Sequence, residues 1–131
     1  MKVKVNEPIK VLWASQHQIG SDQRSALMNI IEARKRKCVH IEERSLIWSS
    51  SISEERDNEQ NIELWDDIAH DFDIVCGVFP PSAMTALHMA RGIADEEGNE
   101  QFDSLLVYTP IANISSMGGR KVFTFLRWQE V

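Results

Sequence analysis

Cysteine is scarce in this 131-residue chain: Cys38 and Cys76 stand alone, with no CxxC and no ligand-like spacing to a histidine. That excludes a zinc ribbon or a disulfide framework and points to two buried thiols in a reducing compartment. Long apolar runs are also missing. No stretch approaches the roughly 20 residues of a membrane-spanning helix, and the opening MKVKVNEPIK lacks the apolar centre of a secretory signal. A cytoplasmic protein with no membrane partner is expected. Basic residues are in deficit, with 14 Lys and Arg against 20 Asp and Glu and a formal charge of −6. Coating of extended nucleic acid, which needs many cations, is thereby disfavoured. Capture of one phosphate group by local donors is not, because charges beyond about 8–10 Å are largely screened.

Familiar signatures are absent too. The chain has no GxGxxG, no Walker A motif, no HExxH and no GxSxG, so no cofactor is expected. His40, His70 and His88 have no metal-ligand spacing, and no metal site is assigned.

What is present is a repeated plan. Residues 8–24, PIKVLWASQHQIGSDQR, pass from a short apolar run (Ile9, Val11, Leu12, Trp13, Ala14) to a polar turn and then a helix start. Such a run suits a strand covered on both faces. Leu27, Ile30, Ile31 and Arg34 follow helical spacing, and the cations of residues 34–37 complement the end of that helix's dipole. Residues 38–41 read as a second strand, and residues 49–61, SSSISEERDNEQN, as a polar surface connection. Ile62, Trp65, Ile68, Ala69 and Phe72 then mark a second helix, with Trp65 as a core anchor.

Residues 73–79, DIVCGVF, form the clearest strand. Ser82 is placed to cap a third helix whose Ala83, Ala86, Leu87 and Ala90 face the sheet, and Gly92 to end it. Residues 95–103 are an acidic linker without calcium-loop spacing. Residues 105–108 give a fourth strand, residues 110–119 (PIANISSMGG) a turn-rich link, and residues 121–128 (KVFTFLRW) a last strand. About ten residues are too few for a parallel crossover, so the last pair should be antiparallel. Residues 1–5 alternate Lys and Val, as an edge strand or a tail.

With 43% hydrophobic residues the chain suits one domain over residues 1–131. The fold class is α/β: a small Rossmann-like three-layer domain with a mostly parallel sheet, closed by a C-terminal antiparallel strand pair. An order of 2-1-3-4-5 places strands 1 and 3 side by side with their following helices on opposite faces, a crevice where ligands bind.

His17 is the titratable side chain placed there; imidazole donates to phosphate or moves protons near neutral pH, and a structural loop histidine is the alternative. Ser15, Gln16 and Gln18 are candidate contacts to phosphate or a base edge. Ser21 and Ser82 have a double reading, as helix caps and as ligand contacts. Ser115, Ser116, Gly118, Gly119 and Arg120 form a second candidate anion loop, or a plain hairpin connection.

The run His17-Gln18-Ile19-Gly20-Ser21-Asp22-Gln23 resembles the strand-end motif of small stand-alone CRISPR-associated proteins proposed as ring nucleases. Residues 79–83, FPPSA, and the closing hairpin are similar in placement; Gly20 stands where that family tends to carry Thr, and Ser21 is the nearest substitute. The resemblance implies a homodimer that binds cyclic oligoadenylate across its two-fold axis and cuts it without metal. The ribose 2′-hydroxyl attacks the adjacent phosphate, with His17 acting on that step and Ser15 and Gln23 nearby. A non-catalytic module for a phosphate-containing small ligand, and a structural or partner-binding domain, are the alternatives.

Overall fold

The computed structural model describes residues 9–14, 19–33, 39–98 and 104–131. The readings made for residues 1–5, for Ser15, Gln16, His17 and Gln18, for the basic residues 34–37, for Cys38 and for residues 99–103 of the acidic linker lie outside the described residues.

These form, in chain order, β1 (Ile9–Ala14), α1 (Ser21–Ala33), β2 (Val39–Glu43), α2 (Glu54–Asp71), β3 (Ile74–Gly77), α3 (Pro81–Glu97), β4 (Leu106–Met117) and β5 (Arg120–Glu130). The sheet order is β2-β1-β3-β4-β5, parallel except for the antiparallel β4–β5 pair. This is a small Rossmann-like sheet with the switch of direction between β1 and β3.

Alternation along β1 divides the core into two layers. Leu12 and Val75 pack with Trp65, Ile68, Ala83, Ala86 and Leu87 of α2 and α3. Val11, Trp13, Ile74 and Cys76 pack on the other side with Leu27 and Ile31 of α1 and with Tyr108 and Trp128. The central strands are covered on both faces, which is why β3 is buried throughout. Alanines at 83, 86 and 90, none more than 5% exposed, let α3 lie close to the sheet.

Four sequence expectations are corrected. Residues 54–61 belong to α2 rather than to a surface connection. Ser53 caps the helix by accepting from the Arg56 N–H at 3.2 Å, and Glu54, Glu55 and Asp57 in the first turn complement the dipole. The buried stripe of that helix begins with polar residues, Asp57 and Asn61, so an apolar period does not reveal it. Residues 110–117 are strand rather than turn. The reversal is only Gly118-Gly119, both at positive φ (59° and 79°), as a two-residue hairpin turn requires.

Third, α3 passes through Gly92, where an added Cβ would meet nothing, and stops before Gly98 at φ 68°. Fourth, β3 is shorter than residues 73–79: it ends at Gly77, and Val78 is 74% exposed.

Candidate functional site

At the carboxyl edge of the sheet Ala14 pairs with Gly77, the last residues of β1 and β3. A Cβ built on Gly77 would stand 2.6 Å from the Ala14 carbonyl oxygen. Glycine is therefore what allows the two strand ends to approach at the switch point. The helices that follow start on opposite faces of this pair: α1 belongs to the layer of Val11 and Trp13, α3 to the layer of Leu12 and Val75.

At α1 the cap falls on Gly20, whose carbonyl accepts from the Arg24 N–H at 2.9 Å, not on Ser21, which is the first helical residue. Gln23 completes the cap. Its Oε1 accepts from the Gly20 N–H at 3.0 Å, half of a capping box. The Ile19 N–H points to Glu43 Oε1 at 3.4 Å. Gln23 thus has a local structural task in addition to the ligand role expected of it, and Glu43 sets a carboxylate beside this end of the crevice.

At α3 the helix starts at Pro81, a favoured first position because its missing N–H would have no intrahelical partner. The Pro80 carbonyl accepts from the Ala83 and Met84 N–H groups at 3.0 and 3.1 Å. Ser82 is therefore the second helical residue and not the cap. Its hydroxyl oxygen is shielded from solvent and has no hydrogen-bond partner among the described residues. Such an orphan costs about 1–3 kcal/mol unless something satisfies it.

Beside α3 lies an aromatic group that sequence inspection missed. Trp48, Trp65 and Phe79 pack with ring centroids 4.8–6.1 Å apart. Trp65 is fully buried and donates its indole N–H to the Ala83 carbonyl at 2.8 Å. Trp48 and Phe79, from the segments after β2 and β3, are partly exposed. Trp48 is held from behind. Asn61 takes the Ser49 N–H and gives its amide to the Ser49 carbonyl (2.8 and 2.9 Å), while Asp57 Oδ1 accepts from the Ser49 hydroxyl and the Ile52 N–H (2.5 and 3.2 Å). Residues 45–48, which the sequence allows either to extend the second strand or to pack as a loop, lie outside β2 and carried no signal of this clip.

Arg120 is not part of this arrangement. It opens β5, opposite Met117 at the end of the hairpin, and Ser115 and Ser116 are strand residues paired with Val122 and Lys121. The structure brings Ser21, Gln23 and Ser82 to one edge of the sheet and leaves Arg120 out.

The chain matches no family model, no curated protein and no solved structure. The site therefore has to be judged on its own chemistry. Among the described residues no three His, Cys, Asp or Glu side chains are grouped to hold a metal ion, and no helix is long and apolar enough to cross a membrane. A shallow groove of about 540 Å³ lies elsewhere, between α2 and α3, lined by Glu54, Glu55, Asn58, Glu59, Ile62 and Met89. Its three carboxylates repel an anion. At the carboxyl edge of the sheet, α1 and α3 begin after β1 and β3, the strands that end at Ala14 and Gly77.

Proposed function

We propose that this domain binds a phosphate-containing small ligand, of the cyclic oligoadenylate class, at the carboxyl ends of β1 and β3. The observation that supports the reading is the switch point itself, where α1 and α3 begin on opposite faces of the close Ala14–Gly77 pair. The helix N-termini supply N–H groups and partial positive charge to a phosphate, and Ser82 a hydroxyl without a partner among the described residues. The resemblance carried by residues 17–23 supplies the ligand class, the homodimer and the chemistry.

In that chemistry the ribose 2′-oxygen bonds to the adjacent phosphorus as the bond to the 5′-oxygen breaks, and the 2′ proton ends on the departing 5′-oxygen. The products are a 2′,3′-cyclic phosphate and a 5′-hydroxyl, with no water or metal consumed. His17 is the residue assigned to orient the hydroxyl or carry the proton. The protein's other contribution is in-line geometry and stabilisation of phosphoryl charge.

Incubation of the full chain with cyclic tetra- and hexa-adenylate in EDTA, read by mass spectrometry and calorimetry, tests this. Wild type is expected to yield linear products with cyclic phosphate ends; His17→Ala is expected to bind and not cut, and Ser82→Ala to bind at least several-fold more weakly. Binding without turnover in wild type would make the domain a sensor. Neither binding nor cleavage would sink the reading.

A further inference from the structure

The β4–β5 hairpin leaves the body of the fold. Tyr108 pairs with Cys76 one residue before β3 ends, and β4 runs on to Met117. Nine further residues at about 3.3 Å each make an arm of roughly 30 Å. Residues 112–124 are all exposed. A lone two-stranded ribbon is at best marginally stable in water, yet this one carries Ile114 (62% exposed), Met117 (68%), Val122 (37%) and Phe123 (65%). Something apolar is left uncovered.

The pairing shows where the apolar surface comes from. Ile114 stands opposite Phe123, Ala112 opposite Phe125 and Pro110 opposite Trp128. Alternation puts these three pairs on the face that carries α1. Phe125 packs on Trp128 at 5.3 Å and Trp128 edge-on against Trp13 at 5.5 Å. The core of that face thus continues outward as a strip and ends in solvent at Ile114 and Phe123. The arm is also cationic. Residues 109–128 contain Arg120, Lys121 and Arg127 and no Asp or Glu, which leaves −9 on the rest of the chain.

We propose that the arm is a self-association surface, covered by a second copy of this chain, the two arms crossing antiparallel about a two-fold axis with their Ile114–Phe123 strips in contact. Three observations select this occupant. The strip is continuous with the protein's own core, so its chemistry already matches a second strip. Ile114 and Phe123, 62% and 65% exposed, form the uncovered end of the strip, while Met117 and Val122 stand on the opposite face of the ribbon by the same alternation. The charges agree as well: an antiparallel crossing carries the cationic turn of each arm toward the acidic body of the other, where two net-acidic bodies alone would repel. The inference takes up the homodimer of the proposed function and is independent of its ligand.

Sedimentation of the ligand-free full chain over a wide concentration series tests it. The expected result is a species of twice the 15.0 kDa chain mass. Ile114→Thr with Phe123→Thr keeps residues that suit a strand and is expected to weaken dimerisation at least about tenfold, with unchanged circular dichroism. Arg120→Glu with Lys121→Glu is expected to weaken it more at low than at high salt. In a Cys38→Ser background, Ile114→Cys is expected to oxidise to a disulfide-linked dimer. A monomeric wild type, or a dimer indifferent to the Thr variant, overturns the proposal. Binding of single-stranded RNA by a monomer, lost on charge reversal, reassigns the arm to nucleic acid. A dimer that binds no cyclic oligoadenylate leaves the arm assigned and removes the ligand.

Discussion

The indole of Trp128 donates to the backbone carbonyl of Gln23 at 3.0 Å, joining residues 105 apart in the chain. The last strand is thereby tied to the first turn of α1, the turn in which Gln23 also closes the cap on Gly20. Trp128→Phe keeps an aromatic ring against Trp13 and removes the donor. A loss of about 1 kcal/mol is expected for one intramolecular hydrogen bond. Hydrogen exchange should show faster exchange at the Gly20 and Arg24 amides, with the amides of β3 unchanged.

Gly77→Ala tests the close approach of the strand ends. The added methyl group would lie 2.6 Å from the Ala14 carbonyl oxygen and 3.3 Å from its Cβ, and backbone must move to admit it. Destabilisation of about 1–3 kcal/mol is expected, the usual range for overpacking. Denaturant melts would measure it. Gly92→Ala, where nothing lies within 4 Å, is the control and should be neutral or stabilising.

Asn61 holds Ser49 through two hydrogen bonds while 1% exposed. Asn61→Ala leaves the Ser49 N–H and carbonyl without these partners, and a cost of about 2–3 kcal/mol is expected. The loop that carries Trp48 should loosen with it. The tryptophan emission of this variant is expected to shift to the red, since Trp48 would lose its packing against Trp65 and Phe79.

Burial pushes the Cys76 thiol up to about 12, from an ordinary value near 9, by desolvating the thiolate. The folded state keeps the neutral thiol where the unfolded chain ionises. This contribution to stability is whole below about pH 9 and is lost as pH rises toward about 12. Urea midpoints of wild type should therefore fall between those limits more steeply than those of Cys76→Ala. In a Cys38→Ser background, Cys76 should not react with a thiol reagent at pH 8 until the protein is unfolded.

Apolar runs and their punctuation made the layered α/β plan legible. β1 coincides with the apolar run that ends at Ala14, α1 starts at Ser21, and the last two strands are antiparallel as expected, joined by two residues rather than ten. Polar residues with buried tasks broke the pattern. Asp57 and Asn61 belong to the inward stripe of α2 because each satisfies backbone groups of residues 49–52, a partnership invisible to a hydrophobic period. Ser21 and Ser82 were read as caps from residue type, whereas Gly20 and Pro80 occupy those positions.

The sequence by itself determined the α/β class, the sheet order and the antiparallel closing pair. Those follow from local periodicity and from the handedness of parallel crossovers. Only the tertiary structure decided that Gly77 closes on Ala14, that the Ser82 hydroxyl has no partner among the described residues, and that residues 110–117 stand out from the body as half of an arm. A strand is defined by its partner. Asn113, Ser115 and Ser116 have no strand signal of their own and gain one from pairing with Thr124, Val122 and Lys121 across the Gly118-Gly119 turn.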